Sequence, residues 1–138
     1  MNDAFVIDSS IALAWVHPSQ ATAATNDLLE GVAGGATVYV PILWHLEVGN
    51  ALLVAVRRKL MTHAQRESAF SLLSKLNVLV DAETASLAWT DISRLAVEHS
   101  LSVYDASYLE LAVRKKLPLA SRDEPLRRAA RDSNVGVL

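Results

Sequence analysis

Four of the fifteen acidic residues in this 138-residue chain stand where a carboxylate has chemical rather than solvating company. Asp8 ends the apolar run "AFVI" directly before a helix-like segment, and Asp123 follows "LPLAS". Asp105 falls in the first turn of a helix that opens at "SVYD". Glu47 is the one charge in "VPILWHLEVGNALLVAV", residues 40–56. On a helix its face is shared with Leu43, Asn50, Ala51 and Val54, and no Lys or Arg lies within a turn; only Asn50 offers a hydrogen bond. An unpaired buried carboxylate loses its hydration, so Glu47 calls for a cation. Each of the other three has a structural alternative: Asp8 as an N-cap, Asp105 as a capping-box acid, Asp123 as a first-turn acid favoured by the helix dipole.

Four carboxylates brought into one crevice raise one another's pKa values and stay ionised together only around a cation. Oxygen-only ligands suit Mg²⁺ or Mn²⁺, which retain waters and accept phosphate oxygens. The chemistry of such a site is phosphodiester hydrolysis, with metal charge on the phosphate and a lowered pKa for the attacking water. The four histidines, at positions 17, 45, 63 and 99, show no metal-ligand spacing, and cysteine is absent; both argue against zinc, and the latter excludes a thiolate nucleophile and disulfides. The acids at 27, 30, 67, 83, 91, 98, 110 and 132 read as solvated helix faces.

The elements that must position the four alternate between short strands and helices. "AFVID" (4–8), "TVYV" (37–40), "NVLV" (77–80), "LPLAS" (117–121) and "VGVL" (135–138) read as strands. Helices are expected at "SSIALAWV", at 18–32 ending in "GVAGG", and from Pro41 to about Leu60. Others run from the capping box Thr62–Gln65 to about Lys75, over 82–99, from Ser102 to about Lys116, and at 124–132. Strands separated by helices imply parallel pairing in an α/β sandwich, whose functional crevice lies beyond the carboxyl ends of the strands. Asp8 and Asp123 sit at such ends.

The length suits one domain over 1–138 with its own core, without repeats or linkers. No window offers the roughly twenty apolar residues of a membrane span, and the N-terminus lacks the pattern of a signal peptide; both point to a cytoplasmic protein. Net charge is −2, but Arg57–Lys59, Arg114–Lys116 and Arg127, Arg128 and Arg131 form basic clusters. Arg122, Arg58 and Arg127 are the candidates for phosphate contact, against the simpler reading of solvated helix faces. Trp15, Trp44 and Trp89 read as core or partner-interface residues before base-stacking ones.

The order "VIDSSIALAW", "LEVGNAL", "YDASYLELA", "LASRDEPLRRAA" resembles the PIN-domain ribonucleases, and end to end the chain is similar to the VapC-type toxins of toxin–antitoxin modules. The resemblance implies a PIN-like three-layer α/β/α sandwich with a short-stranded, mainly parallel sheet. It implies that Asp8, Glu47, Asp105 and Asp123 bind one or two Mg²⁺ ions, with Asp123 the most variable in role. Ser9, Asn50 and Ser121 match the supporting polar positions. It further implies an RNA substrate, a VapB-type antitoxin, a homodimer, and a heterotetramer or larger assembly with the antitoxin. Two rivals remain within the same fold: a PIN nuclease for RNA processing that has no antitoxin, and a PIN-like binding module with weak catalysis. A receiver domain would need paired acids after the first strand and a Lys near the last, and a P-loop would need a Gly-rich strand-to-helix turn. Neither is present.

Overall fold

A computed structural model describes residues 3–138. Four short strands, β1 (Ala4–Ile7), β2 (Thr37–Pro41), β3 (Val78–Asp81) and β4 (Leu119–Ala120), form an all-parallel sheet in the order β3-β2-β1-β4. Phe5 pairs with Val38 and Val6 with both Tyr39 and Leu119. As an inner strand, β1 is apolar on both faces, and Phe5, Val6 and Ile7 are all buried. At the edge, Leu79 and Val80 of β3 are about half exposed.

The first two crossovers step to a neighbouring strand through α1 (Ser9–Val16) and α2 (Ala23–Ala33), then α3 (Trp44–Arg57) and α4 (His63–Ser74). The third spans the sheet, from β3 to β4, through α5 (Thr84–Leu87), α6 (Ser93–His99) and α7 (Val103–Lys115), and α8 (Glu124–Asp132) follows. Helix α1 packs with α2, α3 and α4; α7 lies on β1, β2 and β4 and contacts α6 and α8. The direction of winding therefore reverses between β1 and β4, and there the crevice opens.

Several boundaries differ from the sequence expectation for identifiable reasons. The helix expected at 18–32 is a 3₁₀ turn (Pro18–Gln20) and then α2, because Thr22 leaves the helix and caps α2 reciprocally with Thr25. Pro41 stays in β2, paired with Asp81, and α3 begins three residues later. The expected 82–99 helix contains a π turn over Ala88–Ile92. Leu87 and Ile92 both pack inward at a spacing of five, which an α-helix would put on different faces and the wider turn aligns. The expected strand at 135–138 is reduced to one bridge, Leu119 to Val137. Its partner β4 has two residues, of which only Leu119 faces this segment, its N–H donating to Gly136 O and its carbonyl accepting from Leu138 N–H.

Candidate active site

Asp8 leaves β1 at the reversal point, its N–H donating to Ala120 O of β4 at 3.3 Å. It caps α1: Oδ1 accepts from the Ser10 and Ile11 N–H groups, at 3.1 and 3.4 Å, and from Ser10 Oγ at 2.6 Å. Oδ2 accepts from Ser121 Oγ at 2.5 Å. Ser121, which directly follows β4 and is buried, also accepts the Asp123 N–H at 3.0 Å, so one hydroxyl ties two acids together. Trp44 Nε1 donates to the Asp8 carbonyl at 3.4 Å. Burial pushes the Asp8 pKa up, and the Ser10, Ser121 and Ile11 donors offset only part of the rise.

Glu47 lies in the first turn of α3 and reaches across to α7, where Tyr108 donates its hydroxyl to Oε1 at 2.5 Å. Burial, then Glu47, Asp8 and Asp105 push the Tyr108 hydroxyl well above its usual pKa, so it remains a donor. One turn before Tyr108 on α7 is Asp105. Ser102 caps that helix by accepting the Asp105 N–H at 3.0 Å, but the expected capping box has only this half; the Asp105 carboxylate does not return to the Ser102 backbone. Its pKa is raised by burial first, then by Asp123, Glu47 and Asp8, while the Ser102 hydroxyl opposes. Asp123 caps α8 through Oδ2, which accepts the Leu126 N–H at 3.1 Å, and is exposed at the rim.

The four acids named from sequence thus come together, close enough for Asp105 to feel the other three. Among the described residues, none of the four is ion-paired; all six salt bridges involve other acids. The donor set, all carboxylate oxygens, fits a hard divalent cation. No three His, Cys, Asp or Glu among the described residues form a ready-made cage for one. Both Asp8 oxygens and one of Glu47 are oriented by hydroxyls. A carboxylate oxygen that accepts a hydroxyl keeps a second lone pair, so Asp8 can still approach an ion together with Glu47 Oε2 and the Asp105 and Asp123 carboxylates, directly or through water. That suits Mg²⁺, which keeps several waters.

The supporting residues divide. Ser121 contacts Asp8 as described, whereas the hydroxyl that reaches Asp8 from α1 is Ser10 and not Ser9. Asn50 is exposed, and Glu47 is held by Tyr108 instead. The missed residues, Ser10 and Tyr108, had signals available: Ser10 is an N-cap neighbour of Asp8, and Tyr108 lies three residues after Asp105 on one helical face. Arg122 points its guanidinium at Gln20 O, 2.8 Å away. Arg127 bonds Ser121 O and Leu138 O at 2.9 and 3.0 Å, joining the end of the chain to β4. Arg58, with its neighbours Arg57 and Lys59, is exposed at the end of α3. Trp15 and Trp44 are core residues, and Trp89 is 94% exposed. Glu110 departs from the solvated reading: it is buried, and with Asp81 and Glu83 it surrounds Arg114.

The fold has counterparts among solved structures. The chain is 23% identical to PAE2754 from Pyrobaculum aerophilum, with a TM-score of 0.72 over 97% of this chain and 82% of that one. VapBC2 from Rickettsia felis, in a structure bound to a DNA fragment from its promoter, gives 0.67 at 11% identity, over 98% and 97%. FitAcB from Neisseria gonorrhoeae gives 0.65 at 16% identity, over 97% and 96%. At these identities the likeness is one of fold. No curated protein matches the sequence. The PIN domain pattern itself matches residues 5–132, nearly the whole chain and all four acids, and the chain belongs to the PIN domain family.

Proposed function

We propose that the protein is a Mg²⁺- or Mn²⁺-dependent endoribonuclease, the toxin of a toxin–antitoxin pair. The observation that carries the catalytic reading is the group of four carboxylates, none ion-paired and three of them acting on Asp105, at the crevice between β1 and β4. When bound, the divalent ion supplies charge for the phosphate oxygens and a lowered pKa for the attacking water. The chain's own residues hold and orient. Asp8, Glu47 and Asp105 provide the inner oxygens, Asp123 the outer ones, and Ser10, Ser121 and Tyr108 fix the directions of the first two. Among the described residues no Lys or Arg is ion-paired with the four acids, which leaves phosphate neutralisation at the acids to the ion.

RNA as substrate and the antitoxin partner follow from the resemblance to VapC-type toxins, and VapBC2 and FitAcB among the similar structures support it. A groove of about 410 Å³ between α1 and α4, lined by Trp15, Val16, Pro18, Leu60 and Leu72, supports an apolar partner segment. Exposed Ile42 and Leu46, one turn apart at the start of α3, support a homodimer contact. No helix among the described residues is long and apolar enough to cross a membrane.

The test is cleavage of RNA by purified protein with Mg²⁺ or Mn²⁺, and sequencing of the RNA ends after induced expression. Asp8→Asn and Asp105→Asn should each lower cleavage at least ~100-fold with folding intact, since Asn caps α1 as well as Asp does and the Asp105 carboxylate caps nothing. A well-folded wild type that cleaves no RNA with either ion and arrests no growth would overturn the catalytic reading in favour of a binding module. Cleavage without growth arrest or a co-purifying partner would favour an RNA-processing nuclease.

A further inference from the structure

We propose that Tyr108 is a positioning residue for Glu47, setting which carboxylate oxygen faces the crevice; this rests on reading the four acids as a metal site. Glu47 stands on α3 and the rest of the inner group on β1 and α7, so its placement depends on a contact between elements far apart in the chain. A glutamate has three free torsions, and ordering them costs entropy unless a partner fixes the head group. No basic residue does so here, and Asn50, the polar residue on the same face, is turned to solvent. The Tyr108 hydroxyl, on a side chain that is 1% exposed, donates to Oε1 at 2.5 Å. With Oε1 engaged, Oε2 is the atom left for a cation. Tyr108 is set in turn by α7, one turn after Asp105, so a single helix carries one acid and aims another.

The test is Mn²⁺ binding by titration calorimetry on wild type, Tyr108→Phe, Glu47→Gln and the double variant, with thermal melts of each. Tyr108→Phe keeps the ring in the core and removes only the donor. It should weaken Mn²⁺ binding about tenfold with a melting temperature near wild type. In the Glu47→Gln background the same change should have little further effect, because the group it aims is no longer a charged ligand. A purely structural tyrosine would lower the melting temperature and add its loss independently of Glu47. Glu47→Asp, which keeps both the charge and Tyr108 but shortens the side chain, should lose affinity similarly. Wild-type affinity in Tyr108→Phe or in Glu47→Asp, or additive losses in the double variant, would overturn the positioning role. A wild type that binds no Mn²⁺ would instead overturn the metal reading beneath it.

Discussion

Ser121 shows how much of the site depends on groups that never need to touch a substrate. Its hydroxyl donates to Asp8 Oδ2 and accepts the Asp123 N–H, in a position that is 1% exposed. Ser121→Ala would leave a buried carboxylate oxygen and a backbone N–H short of partners. Such a loss costs about 1–3 kcal/mol, and chemical denaturation should read a fall of that size. Ser121→Thr should retain most of it. The acids themselves were legible in the sequence because strand ends and helix starts locate them without knowledge of side-chain directions. Their polar supports were less so: Ser9 and Ser10 are adjacent, and only the turn of α1 decides which hydroxyl faces Asp8. The face that Tyr108 shares with Asp105 was readable, but its bond to Glu47, 61 residues away, was not.

Helix α7, which carries Asp105 and Tyr108, is held at its far end by Arg114. That guanidinium makes five hydrogen bonds: two to Asp81, two to Glu110 and one to Glu83, at 2.7 to 3.1 Å. Arg has five N–H donors, so its capacity is filled. The contact locks α7 to the end of the edge strand β3, and it converts Glu110 from a helix-face acid into a buried one. Arg114→Met would leave Asp81 and Glu110 buried without their ion-pair partner and should destabilise the fold by about 3–5 kcal/mol. Burial alone would raise the Asp81 pKa, but the Arg114 hydrogen bonds and charge outweigh it and hold Asp81 below the usual 3.8. Its stabilisation is therefore complete above that value and is lost as pH falls through the lowered one. Acid unfolding of wild type should show this loss below about pH 4, and Arg114→Met should not. Helix positions were readable from caps such as Thr62–Gln65, where both reciprocal bonds are present. Strand extent was not, because β4 is two residues long and only Leu119 faces the Val137 segment, a constraint of pairing and not of local pattern.

Seen across the molecule, the four acids come from both groups of helices and from both strands at the reversal point, so charge in the crevice acts on the whole fold. Asp8 and Asp105 both have raised pKa values, the direction in which the ionised form works against folding. For a carboxyl raised in the folded state, the stabilising contribution is present below the unfolded pKa and lost as pH rises through the folded one. At neutral pH the metal-free protein therefore carries an electrostatic strain that a divalent cation would relieve. A ligand that binds only the folded state stabilises by about 2.7 kcal/mol at a hundred times its dissociation constant. For a domain of this size that corresponds to a rise of roughly 10 °C in melting temperature. Saturating Mn²⁺ at pH 7 should produce a rise of that order in wild type and a much smaller one in Asp105→Asn. Near pH 4 the rise should fade as protons compete for the same carboxylates. Without the ion, Asp105→Asn should melt at or above the wild-type temperature, since it removes the carboxylate most exposed to the other three. A metal-free Asp105→Asn that melts well below wild type would mean that Asp105 stabilises the fold by itself, and that the strain assigned to the crevice is absent.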